Sequence, residues 1–201
     1  MPTTLLYACS SNAGKLAEFA QAAGESTSAT FRILPLPGIK QLTPPEESGS
    51  TFAENAALKA LYYSRFTNEL VFGDDSGLEV DGLGGAPGVL SARFAAPDAT
   101  DEQNNELLLA KIAGVSQRSA RFVTVIALAR GEQLLTSCSA NVAGEILPAL
   151  RGVNGFGYDP LFFYPPLNRS FAELTNPEKF AVSARGKAFR GVLQWLSEAN
   201  L

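Results

Sequence analysis

The chain has 201 residues, 46% of them apolar and 18% charged, which fits one globular domain or two lobes sharing a core and excludes a disordered chain. Its net charge of −4 argues against a duplex nucleic-acid binder, which needs a broad basic face, but leaves room for a small phosphorylated ligand held by a few local cations. Histidine is absent, so His-type zinc sites, Ser-His-Asp triads and Cys-His dyads are excluded, and acid–base chemistry falls to Asp, Glu, Lys, Tyr or a metal-bound water.

Apolar Leu5 to Ala8 predicts a first strand, the small polar run Ser10 to Gly14 a turn, and Lys15 to Ala23 a helix with Leu16, Phe19 and Ala20 on one face. The start Met1-Pro2-Thr3-Thr4 lacks a basic n-region and an apolar h-region. With Cys9 and Cys138 far apart, free thiols and a cytoplasmic location are expected. Phe31 to Leu36 predicts a second strand, and Pro35, Pro37, Pro44 and Pro45 mark the following stretch as loop. Thr51 with Glu54 is a capping box, opening a helix to about Thr67. Leu70 to Phe72 predicts a buried strand that ends at Asp74-Asp75, where a loop of Gly77, Gly82, Gly84, Gly85, Pro87 and Gly88 begins. Thr100 with Gln103 caps a helix over Asp101 to Ile112. Arg121 to Ala129 and Gln133 to Ile146 predict a long hairpin around Arg130-Gly131-Glu132. Leu161 to Tyr164 predicts a short strand, and Asn176-Pro177 a helix cap. The last helix is predicted over Ser183 to Ala199, with Phe189, Val192, Leu193 and Leu196 on its apolar face. Helices and strands mix throughout, so the fold class is α/β with some antiparallel pairing. No apolar run reaches about 18 residues, so no membrane span or membrane partner is expected.

Several segments carry chemistry. Adjacent carboxylates at a strand end have rigid support and open space, which suits a hard metal ion or an activated water; they are also ordinary turn formers. Ser10-Ser11-Asn12-Ala13-Gly14-Lys15 lies between a strand and a helix, where outward amides and the positive dipole end favour phosphate. It is not a Walker A loop, because Cys9 stands at the first glycine position and Leu16 follows the lysine. Glu46 and Glu47 precede a helix start; they either favour the helix dipole or supply a second carboxylate for Mg²⁺. Lys59, two turns into that helix, is a surface lysine or a phosphate contact. Gly152 to Pro160 sets three glycines around Phe156, Tyr158 and Asp159, giving tight turns or a stacking face for a base. Lys179 and Arg185 stand near the start of the last predicted helix, where cations are not favoured by the dipole.

Taken together and in this order, these segments resemble the inosine triphosphate pyrophosphatases, the house-cleaning diphosphatases of non-standard purine nucleotides. The matching stretches are Ser11 to Lys15 with Glu18-Phe19, Thr51 to Ala56, Asp74 to Leu78, Gly84 to Gly88 with Ser91-Ala92-Arg93, Gly155 to Pro160, and Ala172 to Leu174 with Glu178-Lys179. They span nearly the whole chain. The resemblance implies a single α/β domain over residues 1–201. It is an elongated two-lobed fold with a long twisted mixed sheet flanked by helices and a nucleotide cleft between the lobes. It further implies a homodimer and Mg²⁺-dependent hydrolysis of ITP, dITP and XTP to the monophosphate and pyrophosphate. By position, Ser10, Ser11, Asn12, Ala13, Gly14 and Lys15 would hold the triphosphate, with Lys59 and Lys179 adding charge and Ser76 touching the phosphates. Glu46 and Asp75 would hold Mg²⁺, Asp75 also taking the proton of the attacking water. Phe156, Gly157, Tyr158 and Asp159 would frame the purine, and Arg185 would contact it.

One position departs from the family pattern. The usual Ser-His-Arg is Ser183-Ala184-Arg185 here. In the family that histidine helps recognise the 6-oxo purine, and Ala184 cannot hydrogen-bond through its side chain, so base selectivity is expected to relax. The competing reading is a nucleotide-binding protein with weak or relaxed hydrolysis. Related pyrophosphatases that take methylated or pyrimidine nucleotides match the motifs less well.

Overall fold

The computed structural model describes residues 3–25 and 30–199; the Met1-Pro2 start, used above in judging the leader, lies outside them. The strands are β1 (Thr3–Ala8), β2 (Thr30–Pro35), β3 (Leu70–Val80), β4 (Ser119–Arg130), β5 (Gln133–Ile146), β6 (Phe162–Tyr164) and β7 (Arg169–Ser170). The α-helices are α1 (Ala13–Glu25), α2 (Phe52–Tyr63), α3 (Asp101–Ile112), α4 (Asn176–Val182) and α5 (Ala184–Glu198). The strands form a mixed sheet in the order β2-β1-β3-β4-β5-β6-β7. β1 runs parallel to both neighbours, with Ala8 opposite Pro35 and Phe72, while β5, β6 and β7 pair antiparallel. The chain is thus an open, mixed α/β sheet flanked by helices. Among the described residues, no helix is long and apolar enough to cross a membrane.

The chain divides into two compact units. The first comprises Met1–Asp75, Thr124–Ala140 and Ala184–Leu201. Its β3 segment sorts side chains by the two-residue period of a strand. Phe72 turns toward α1 and α5, where its ring meets Phe19 at 4.9 Å and Phe189 at 5.1 Å. Val71 faces the other way and packs with Leu36 of the loop after β2 and Tyr63 of α2. Gly73 continues that second face. A Cβ there would lie 2.7 Å from the Ala56 carbonyl oxygen and 2.8 Å from the Ala60 nitrogen, so the missing side chain is what lets α2 approach the strand.

The second unit comprises Ser76–Val123 and Asn141–Ser183. Phe162 is at the centre of its core, with the Phe122 ring at 4.6 Å and the Phe171 ring at 4.8 Å. Tyr158 is buried beside them and donates its hydroxyl hydrogen to the Ser91 carbonyl at 2.8 Å.

Four expectations change. β3 does not end at Phe72: it runs to Val80, so Asp74 and Asp75 are inside a strand and not at its end. Gly73 and Gly77 are absent from the left-handed region, whereas Gly84, Gly85 and Gly88 enter it at φ 64, 90 and 59, so the chain turns there instead. α2 stops at Tyr63 and tightens into a 3₁₀ turn over Ser64–Phe66, where the Ser64 hydroxyl bonds back to the Leu61 carbonyl. Asn176 is not a cap; Thr175 is, in a reciprocal box with Glu178, leaving Asn176 and Pro177 in the first turn. Lys179 therefore belongs to the last turn of the short α4, one helix earlier than expected. The hairpin turn is as predicted, with Gly131 at φ 55 and Glu132 at φ 64, matching the twist of long strands.

Candidate functional site

The strand period decides the fate of the two carboxylates. Asp74 shares the face of Phe72, toward α1 and α5; Asp75 shares the face of Gly73, toward α2. Asp74 is 4% exposed and accepts from Lys15 Nζ at 2.8 Å, with Arg185 Nε 3.6 Å away. Arg185 in turn donates to Glu18 at 2.6 Å. Burial pushes the Asp74 pKa up, but Lys15, Arg185 and Lys59 outweigh it and hold the group well below the ordinary carboxylate range. Asp75 accepts from Lys59 Nζ at 2.9 Å and from the buried Asn55 amide at 3.4 Å. Here burial prevails over Lys59, with Glu47 adding to it, and the pKa is raised. Neighbouring carboxylates are thus driven in opposite directions, one fixed as an anion and the other made a better proton acceptor.

Lys59 is the hinge of the second cluster. Its ammonium touches Asp75 at 2.9 Å and Glu47 at 3.2 Å. Burial lowers its pKa, but Asp75 and Asp74 outweigh this and raise it. Asn55 also accepts from the Gly49 amide at 2.8 Å, tying the Glu46–Ser50 segment to the same strand. Glu47 is therefore the carboxylate brought to Lys59 beside Asp75, while Glu46 is exposed on that segment. Cys9 is close by, its thiol within 3.8 Å of the Lys59 carbonyl. Burial and then Asp74 push that thiol well up, so it stays protonated and is no nucleophile.

Residues 10–15 lie just beyond the carboxyl end of β1. The Asn12 side chain accepts from the Lys15 amide at 3.1 Å, while the Ser10 hydroxyl accepts from the Asn12 amide at 3.2 Å. Asn12 thus caps α1. Ser11 to Gly14 are exposed and Lys15 only half so, its ammonium drawn to Asp74. Ser76 follows Asp75 in β3, half-buried.

In the second unit, Gly155 takes φ 76, and its missing Cβ leaves room for the Asp159 carboxylate. Asp159 accepts from the Phe156 amide at 2.8 Å and from the Lys179 ammonium. Lys179 also lies 4.3 Å from the centre of the Phe156 ring, a cation–π contact. Lys179 is therefore placed with Phe156 and Asp159 within the second unit. Arg185, expected at the purine, is placed against Glu18 and Asp74.

Comparison with known proteins shows the family. Residues 6–195 match the model of the Ham1 family. The chain belongs to the Ham1 family. It is 49% identical over 197 residues to a dITP/XTP pyrophosphatase of Acidobacterium capsulatum, covering 94% of this chain and 96% of that one. A HAM1 protein from Coxiella burnetii has a TM-score of 0.85 at 38% identity, covering 98% of this chain and all of that chain. The Ham1 protein of Staphylococcus aureus gives 0.84 at 35% identity, with 98% of this chain covered.

Within this Ham1-family chain, the donor set beside Lys59 consists of oxygen. Among the described residues no group of three metal-binding side chains occurs. Mg²⁺ does not require one, since one or two carboxylates plus substrate phosphates and water suffice. Asp75 and Glu47 already converge on one cation, the Lys59 ammonium, so the residues fit a hard dication there. Asn55 and Glu18 lie inside the matching motifs without an expected role there; their spacing from Lys59 and Lys15 on one helix face is the signal that points to them.

Asp74 gives a pH test. Its folded pKa lies below its ordinary value of 3.8, so its stabilisation is fully present above that value and is lost as pH falls through the folded one. Urea unfolding between about pH 7 and about pH 2 should show the wild type losing more stability than Asp74→Asn, the two curves converging in acid.

Proposed function

We propose that this chain hydrolyses non-standard purine nucleoside triphosphates, dITP, ITP and XTP, to the nucleoside monophosphate and pyrophosphate. The observation carrying the reading is the adjacent pair Asp74 and Asp75, driven in opposite directions, Asp74 down by Lys15, Arg185 and Lys59 and Asp75 up by burial that outweighs Lys59, in a chain whose relatives are dITP/XTP pyrophosphatases.

The exposed turn Ser11 to Gly14, the Ser10 hydroxyl and the α1 N-terminus bind the phosphates, with Lys15 and Lys59 adding charge. Ser76 stands next in the strand for a phosphate contact. Asp75 and Glu46, with Glu47 adjoining, would hold Mg²⁺, which when bound neutralises charge on the phosphates and on the leaving pyrophosphate. Asp75 takes a proton from the water that attacks phosphorus. The bond between the α-phosphorus and its bridging oxygen breaks, and pyrophosphate leaves. Phe156 offers a ring face to the purine, and Gly157, Tyr158 and Asp159 shape the loop around it, with Lys179 behind the ring. By family resemblance the enzyme is a homodimer, and its two free thiols fit a reducing cytoplasm.

The base end carries the difference from the family pattern. Ala184 is 2% exposed and opens α5 with no polar side-chain atom. A site that hydrogen-bonds a substrate oxygen discriminates strongly against analogues lacking it, and one that merely fits does not. Relaxed selectivity follows: kcat/KM for ITP and XTP should exceed that for GTP and ATP by less than ~100-fold. A wider gap would show that another group compensates for Ala184. Pyrophosphate release from ITP with Mg²⁺ tests the whole reading; binding without release would favour a nucleotide-binding protein instead.

A further inference from the structure

The loop that offers Phe156 is held from a helix that has no role so far. Gly157 donates its amide hydrogen to Asp101 Oδ2 at 2.6 Å, and its carbonyl accepts from the Asn105 amide at 2.9 Å. Asp101 and Asn105 are one turn apart on the same face of α3. Both polar backbone groups of one loop residue are thus satisfied by one helix. Nothing lies within 4 Å of where a Gly157 Cβ would be, so packing on that side does not hold it. On either side, Phe156 is 36% exposed with its ring against Lys179, and Tyr158 is anchored through its hydroxyl to Ser91. The residue before Asn105 does the same for another loop: Asn104 accepts from the Ala95 amide and donates to the Ala92 carbonyl.

The Asn105 amide has a fixed direction. Turning it over would set its oxygen against the Gly157 carbonyl, acceptor against acceptor. Asn105 Oδ1 is left buried with no hydrogen bond in the structure. Burying an unmet acceptor is costly, and such a cost persists where another demand fixes the residue. Here that demand is the grip on Gly157.

We infer that Asp101 and Asn105 are positioning residues for the base end of the substrate: they fix Gly157 and through it the Phe156 ring. The inference rests on the nucleotide reading above. Its consequence is a split between base and phosphate. Losing either hydrogen bond loosens the loop and weakens nucleotide affinity, whereas the phosphate contacts proposed above fall to other residues, Ser10 to Lys15, Lys59 and Ser76.

The test compares wild type, Asp101→Ala, Asn105→Ala and Asp101→Asn. Affinity for dITP is read as KM and, by calorimetry, as Kd; inorganic tripolyphosphate, which has no base, is the second probe. Each alanine variant should raise KM and Kd for dITP roughly tenfold, with kcat within about twofold of wild type. Tripolyphosphate inhibition should be unmoved. Asp101→Asn keeps an acceptor for the Gly157 amide and should return the affinity toward wild type. Unchanged dITP affinity in both alanine variants overturns the inference alone, as does an equal loss of tripolyphosphate affinity. A wild type that neither binds nor hydrolyses dITP overturns the nucleotide reading, and this inference with it.

Discussion

Asp75→Asn should lower kcat for dITP hydrolysis by ~10²–10⁴-fold, the contribution expected of a positioned general base, while nucleotide binding survives. The substitution is nearly isosteric and keeps an oxygen for the Lys59 ammonium, which lies 2.9 Å from Asp75 Oδ1. It removes only the negative charge and the ability to take a proton. Asp74 is a poor substitute, because Lys15 and Arg185 stabilise its anion and so weaken it as a base. The pH profile gives a second readout. Burial raises the Asp75 pKa above its ordinary 3.8, so kcat/KM of the wild type should fall as pH drops through that raised value. The residual activity of Asp75→Asn should lack this acid limb. Binding is checked by calorimetry with a non-hydrolysable nucleotide analogue. A near-normal kcat would move the base role away from Asp75.

How far this was legible in the sequence depends on the type of signal. Capping boxes are local, and those at Thr51 and Thr100 placed their helix starts to the residue. Phe19 and Phe189 announced their buried faces through helical spacing. The extent of β3 was not legible, because a glycine after an apolar run reads as a breaker. Gly73 is instead a close-approach position, and its reason is α2, a segment more than ten residues earlier in the chain. Once the strand continues, alternation separates Asp74 from Asp75, which as a turn pair only the family resemblance tells apart. The partner choices were equally hidden. Whether Lys59 meets Glu46 or Glu47, and whether Lys179 belongs with the phosphates or with Asp159, depends on tertiary packing that no spacing encodes.

Lys179 also carries the largest expected effect on stability. Its side chain is 6% exposed and that of Asp159 3%, so their ion pair is nearly dry. A buried pair need not add net stability, because desolvating both ions offsets their attraction. Removing one partner is different, since the other charge remains buried without it. Lys179→Met should therefore cost about 3–5 kcal/mol in urea unfolding. Methionine keeps the apolar length of the stem against the Phe156 ring, so lost packing accounts for little of that cost. Asp159→Asn in the Lys179→Met background should restore most of it, since Asn still accepts from the Phe156 amide, now at 2.8 Å from the carboxylate, and brings no charge. The cycle of both single variants and the double variant isolates the charge–charge part. A double variant no more stable than Lys179→Met would show that the lysine acts through packing around the ring and not as the counter-ion of Asp159. Rescue would instead identify the pair as the electrostatic support of the loop that presents Phe156, restoring the fold without restoring the cation against the ring, so dITP affinity should stay low in the double variant even where stability returns.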